Sequence, residues 1–230
     1  MVGTPPAEGR SWAPVARRLP PRLSRRLARA WSEVDRDVSV RIAGLAPGAF
    51  SCRPGCFGCC IGLFALPLSE ALAARAAWRQ LPATVRSASL DRAGRAAIRS
   101  APFFPGDPVA GLLDPERTDA EDERYFESVA SVACPFLDLP SGACRVYRAR
   151  PVTCRTYGLA LRDGAELVEP ACPLNFSGAS PERVHRTAFD AAEILALDQA
   201  VAEAAAADGV PAGAETTLAH VLVGTLGARD

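Results

Sequence analysis

Cys52-Arg53-Pro54-Gly55-Cys56-Phe57-Gly58-Cys59-Cys60 is the stretch on which the reading of this chain turns. It sets four thiols within nine residues. The four remaining cysteines, Cys134, Cys144, Cys154 and Cys172, stand far downstream, and none lies elsewhere. Pro54, Gly55 and Gly58 break any regular element and let the backbone turn tightly, aiming several thiols at a common centre. Thiolates are soft ligands that favour zinc, cuprous copper and iron–sulfur clusters over magnesium or calcium. The fold expected around such a stretch is an irregular, cysteine-rich metal-binding centre carried by regular elements on either side.

The vicinal pair Cys59-Cys60 narrows the chemistry. Neighbouring side chains diverge by about 100° in a helix and about 180° in a strand, so the two thiols serve different metals, or different corners of one polynuclear centre, more easily than a single ion. A structural zinc takes four thiolates and a cubane cluster also takes four protein ligands. Eight cysteines therefore match two four-ligand centres, and equally match one cluster with spare thiols. The downstream four are widely spaced, each presented by its own turn or strand end, and their natural role is to close a site that the first group opens. Such a clamp couples metal binding to folding.

Working outward, Leu23, Leu27, Trp31, Val34, Val38 and Ile42 recur every three or four residues and predict an amphipathic helix over about 22–43. Ser69 reads as the N-cap of a helix over about 69–80, with Glu70 at its positive end. Further helices are expected over about 84–99 and 121–131, separated by a Pro- and Gly-rich loop over 101–118. Leu159 to Glu169 reads as a hairpin turning at Asp163-Gly164, a type I′ signal. Ser180-Pro181-Glu182 opens a long helix whose stripe runs Val184, Ala188, Ala191, Leu195 and Ala202, interrupted by Asp198. Thr217 to Leu226 reads as a short docking helix. The expected architecture is mainly α, a compact helical domain over 21–230 with one small β-hairpin, preceded by a loosely attached arm over 1–20.

Composition removes several function classes. The 26 basic residues balance 26 acidic ones, which argues against a nucleic-acid binder. Every basic residue is arginine, so Schiff-base and phosphate-loop lysines are excluded. No apolar leader is visible at the N-terminus, and stretches such as Ile61 to Leu68 are too short to span a bilayer. The expected compartment is the reducing cytoplasm, where thiols stay free for metal, although an even cysteine count also permits a disulfide framework. His185 and His220, the two histidines, fall in expected helices and read as surface or core-edge residues. Arg53, Arg145, Arg148, Arg150 and Arg155 lie among the cysteines, either to offset thiolate charge or as plain solvated side chains. No familiar hydrolase or dinucleotide motif is present.

Taken with Cys134-Pro135-Phe136-Leu137, Cys144-Arg145-Val146-Tyr147, Arg150-Pro151 and Cys154-Arg155-Thr156-Tyr157, the first cysteine run resembles the YkgJ-type, or CxxCxxCC, cysteine-cluster family. The likeness covers about residues 50–175, with a first gap of three residues where the family name implies two. It implies zinc or iron chelation through Cys52, Cys56, Cys59, Cys60, Cys134, Cys144, Cys154 and Cys172, and the cysteine count keeps an iron–sulfur cluster open beside it. It supplies no reaction. Two classes stay open: a binding module whose metal is structural or held for delivery, and a metal-dependent enzyme such as a methyltransferase or oxidoreductase. A radical S-adenosylmethionine protein is the sharpest form of the second, since Cys52-x3-Cys56-x2-Cys59 has its ligand spacing. Gly58 stands where that family carries an aromatic, and the chain lacks the alternating strands and helices of its barrel.

Overall fold

The computed structural model describes residues 19–53 and 55–224, so the arm expected over 1–20 lies almost wholly outside the described residues. The first helix, α1 (Pro21–Ile42), forms where the apolar stripe demands it. Leu23, Leu27, Trp31 and Val34 are its buried residues, and Pro21 supplies the preset φ of a first turn. After the first cysteine run come strand β1 (Leu66–Pro67) and helix α2 (Leu68–Arg79). Residues 68–75 are buried without a break, and α2 is touched by α1 on one side and by the later elements on others. This burial changes the start expected for the helix. Pro67, not Ser69, holds the cap position; the Ser69 hydroxyl is buried without a partner, and Glu70 turns into the interior.

Helix α3 (Ala83–Ser100) follows as expected. The stretch read as a loop folds instead into a short ladder, β2 (Gly106–Asp107) with β3 (Leu112–Leu113), because the apolar pair Leu112 and Leu113 is drawn fully into the core. Helix α4 (Asp119–Val129) opens on a capping box in which Thr118 and Glu121 satisfy each other's backbone N–H groups. Strands β4 (Leu137–Asp138) and β5 (Ala143–Cys144) make a tight hairpin, and α5 (Val152–Thr156) is a single short helix.

Strands β6 (Leu161–Asp163) and β7 (Glu166–Glu169) form the expected hairpin, with Asp163 opposite Glu166. The turn residues are therefore Gly164 and Ala165, one position later than read. Gly164 has φ +56° and no such angle occurs at Ala165, the pattern of a II′ turn rather than I′. The long helix expected from Ser180 is broken. Ser180 does cap α6 (Pro181–Thr187), but β8 (Phe189–Asp190) then pairs in parallel with β6. Asp190 restarts the chain as the N-cap of α7 (Ala191–Ala207), in a second capping box with Glu193. The break also resets the stripe: Leu195, expected on the apolar face, is exposed, and beyond Asp198 the buried residues are Val201, Ala204 and Ala205 rather than Ala202. Strand β9 (Glu215–Thr216) pairs with β1, and α8 (His220–Val223) lies within the segment expected to dock.

The molecule is mainly α, with eight helices and four small sheets among the described residues. Ladders two residues long leave no period in a sequence, which is why one hairpin alone was legible. The main core runs from Leu23 on α1 to Leu222 on α8, and a satellite forms around Leu159, Phe176 and Phe189. His220 is a core histidine. Its Nδ1 lies 2.9 Å from the Thr217 hydroxyl and 3.3 Å from that of Tyr125, and burial pushes its pKa down to about 4, keeping it neutral. His185 is half-buried on α6, 3.2 Å from the Gly164 carbonyl. No helix among the described residues is long and apolar enough to cross a membrane.

Candidate metal centre

The cysteine loops are pinned by backbone and amide bonds at both ends. At the start of the first run, the Ser51 N–H donates to Asn175 Oδ1 at 2.7 Å and the Ser51 hydroxyl to the Leu174 carbonyl at 2.8 Å. Asn175 Nδ2 in turn donates to the Gly158 carbonyl at 2.7 Å, with Cys52 Sγ 3.4 Å away. At the other end, the Cys134 N–H donates to the Cys60 carbonyl at 2.7 Å and that of Gly62 to Val132 at 2.8 Å. Gly58–Cys60 between them forms one 3-10 turn. Two glycines permit the close approach of the later segments. A Cβ on Gly142, at φ +68°, would sit 2.6 Å from the Gly55 carbonyl oxygen, and one on Gly158 would sit 2.7 Å from Cys52 Sγ.

The eight thiols are all free and divide into two ends. At the inner end Cys59, Cys60, Cys134 and Cys154 line a cavity of about 20 Å³, together with Leu63, Phe64 and Leu218. Cys144, on β5, is near enough to Cys59, Cys134 and Cys154 to interact with them electrostatically. At the outer end Cys52 faces Cys56, Cys172 and Cys59 in the same way. Cys59 is thus the thiol common to both ends. As placed, no three His, Cys, Asp or Glu side chains among the described residues converge as a ready-made ligand set.

The protonation chemistry follows from burial. Desolvation pushes the Cys134 thiol up to about 12 and raises those of Cys154 and Cys144. The vicinal thiols are coupled: the Cys60 thiol donates to Cys59, which lowers the pKa of Cys59 and raises that of Cys60. Buried thiols of this kind become thiolates only beside a compensating cation. The donor set therefore suits a thiophilic metal: five soft sulfurs at the inner end and three at the outer, with no competing oxygen ligand lining the cavity.

The interleaved arginines do different jobs. Arg155 is a staple: its Nε donates to the Arg150 carbonyl and its Nη2 to the Arg148 carbonyl, both at 2.8 Å, while Nη1 pairs with Asp35 of α1 and the guanidinium lies over Trp31. Arg145 pairs with Asp138 at 2.7 Å across the β4–β5 hairpin. Arg150, stacked 3.7 Å over the Tyr147 ring, is the charge that most favours ionisation of Cys144 and also favours it at Cys59 and Cys154. For Arg53 and Arg148 no charge partner is seen among the described residues.

Two positioning groups lie outside the sequence reading, and a third, Glu70, reads in sequence only as a helix-end carboxylate. Arg92 of α3 donates to the carbonyls of Cys134 and Leu137 at 2.8 and 2.6 Å. Asn175 holds the outer end, as described above; its place three residues after Cys172 was the available signal. Glu70, 1% exposed, accepts from Trp31 Nε1 at 2.6 Å and from the Val152 N–H at 3.0 Å, and so caps the helix that carries Cys154. Desolvation outweighs those two donors and pushes Glu70 up to about 7. A second cleft, about 810 Å³ between α1 and α7, is lined by none of the cysteines.

Compared with known proteins, residues 51–173, just over half of the chain, match the model of a family named CxxCxxCC and described as a putative zinc- or iron-chelating domain. No curated protein and no solved structure gives a match.

Proposed function

The chain belongs to the CxxCxxCC family of zinc- or iron-chelating domains, and from that premise we propose that its eight cysteines are the ligands, shared between two thiolate centres. Cys60, Cys134, Cys144 and Cys154 form the inner centre; Cys52, Cys56, Cys59 and Cys172 form the outer one. The observation that carries this reading is the place of Cys59: it lines the inner cavity beside Cys60, Cys134 and Cys154, and it is also the member of the vicinal pair that interacts with Cys52. A thiol at that junction can join the outer set while Cys60 stays with the inner one.

The size of the inner cavity supports a mononuclear ion there. About 20 Å³ is close to the room of one water molecule, enough for a bare zinc or iron ion and far short of a cubane cluster. Four thiolates would close the coordination sphere, which favours a structural or storage role over catalysis at an open position. The protein is accordingly a metal-binding module of a reducing compartment, the cytoplasm, and the metal clamps Cys60 to Cys134 across 74 positions of sequence.

The test is anaerobic purification with zinc, iron and acid-labile sulfide measured per chain, alongside the visible spectrum. Two metal ions per chain without sulfide is the expected result. Iron and sulfide in equal amounts, with absorption near about 400 nm, would replace this reading with a cluster and bring forward the oxidoreductase or methyltransferase alternative. Retention of full metal by both Cys60→Ser and Cys154→Ser would end the assignment of the inner ligands.

A further inference from the structure

We propose that the cleft between α1 and α7 is a docking groove for an acidic amphipathic helix of a partner protein. The proposal does not rest on the metal-binding reading. Arg22, Arg25, Arg26 and Arg29 crowd the first turns of α1 and line the cleft, with Glu33 as the single carboxylate among its lining residues. At 100° per residue the four arginines fall within an arc of about 100°, forming one cationic rim. None of their side chains hydrogen-bonds or ion-pairs with another described residue, so among the described residues the rim's charge is not matched by a carboxylate partner.

The floor is apolar. Half-buried Ala30 and Leu197 and exposed Ala200 face the cleft over buried Leu27 and Val201. A groove of about 810 Å³ with an apolar floor and a basic edge is complementary to a helix that has leucine-like residues on one face and carboxylates along the flank. Guanidinium groups bind carboxylates through paired N–H donors, which fixes register as well as attraction.

Charge and shape select this occupant over others. Residues 1–18 carry Arg10, Arg17 and Arg18 against Glu8, so their composition does not supply the acidic flank that the rim complements. A bilayer presents a broad surface and meets protruding cationic faces, not a cleft between two helices. A nucleic-acid backbone has no apolar stripe to match Ala30, Leu197 and Ala200. The groove also stands on the helix that supports the cysteine centre, since Trp31 and Asp35 of α1 hold Glu70 and Arg155.

The test is fluorescence anisotropy on the full chain, loaded with metal, using a labelled Leu/Glu amphipathic peptide of about 18 residues and a scrambled peptide of the same composition. Vesicles containing phosphatidylserine and a short DNA duplex serve as competitors. The expected result is binding of the amphipathic peptide at least about 10-fold tighter than the scrambled one, weakened by salt and by neither competitor. Arg22→Gln/Arg26→Gln/Arg29→Gln, three exposed changes whose fold is checked by circular dichroism, should weaken it about 10-fold or more and flatten the salt dependence. Equal binding of the two peptides, displacement by vesicles or DNA, or an unaffected triple variant would each overturn the proposal.

Discussion

The inner and outer ends of the cysteine region are built on different foundations. Cys134 and Cys144 pack against the main core, Cys154 rides on a helix capped by buried Glu70, and Arg92 and Arg155 tie the intervening carbonyls. The outer end has Asn175, one pair of hydrogen bonds at Ser51 and the three-residue satellite core, and Cys52 is exposed. The inner loops are fixed by contacts that do not involve metal, whereas the outer ones have little else to hold them. Preorganisation lowers the entropy that a bound ion must overcome. The inner centre should therefore bind first and release last, and its loss should damage the fold more.

The comparison is most exposed to cysteine replacement. Cys154→Ser should lose about one metal per chain and lower Tm by about 10 °C or more, because a buried ligand and its ion leave together. Cys52→Ser should also lose about one metal but lower Tm far less. Elemental analysis with thermal melts of both variants reads the difference; equal melting losses would mean that the two ends are equally braced.

Removing a brace while keeping every thiol sharpens the same contrast. Arg155→Gln breaks two bonds to part-buried carbonyls and the pair with half-exposed Asp35, and should cost about 2 kcal/mol in urea denaturation. Chelator competition should show faster metal loss from the inner centre alone. An unchanged unfolding midpoint would show that Arg155 follows the loop rather than holding it.

Glu70 offers a pH reading. Its pKa rises from 4.5 to about 7 in the folded chain, so the native state keeps a proton that the unfolded state has lost across that window. Its contribution is full below about pH 4.5 and fades as pH climbs to about 7, a swing on the order of 3 kcal/mol. Glu70→Gln should thus gain on the wild type as pH rises from 5 to about 7.5. Asp198, raised to about 6, acts with the same sign, and His220, lowered to about 4, with the opposite sign. Both remain in the variant, as does proton competition at the thiols, so the difference between the two proteins reports Glu70 together with its coupling to Asp198. A difference constant with pH would mean that Glu70 is ionised throughout.

These residues also show how far local rules reach. The stripe Leu23, Leu27, Trp31, Val34 marked α1 because helical burial repeats at short range, and Ser180-Pro181 marked the start of α6 for the same reason. Glu70 defeated the same logic. A carboxylate in a first turn reads as a solvated dipole partner, but Trp31 and the start of α5, 39 and 82 positions away, claim it. The break at Phe189-Asp190 depends on parallel pairing with Leu161-Arg162, which no window contains, although Asp190-x-x-Glu193 is a local capping signal that marks the restart. The arginines among the cysteines are identical in sequence terms; which one staples, pairs or faces a thiol depends on the carbonyls and rings that folding brings to each.

Asn175→Ala is the smallest and most selective of these probes. The Asn175 side chain receives the Ser51 N–H and donates to the Gly158 carbonyl, joining the start of the first cysteine run to the segment just after α5. Alanine leaves both groups without that partner. Ser51 lies half-buried, where water can replace the amide, so the expected loss is about 1–2 kcal/mol. Cys172 keeps its place, since the Asn175 backbone N–H still bonds to its carbonyl. Metal should thus leave the outer centre more readily under a chelator while the inner centre releases at the wild-type rate. Faster release from both centres would mean that Asn175 transmits to the core, and that the two ends are one cooperative unit rather than a braced site beside a loosely held one.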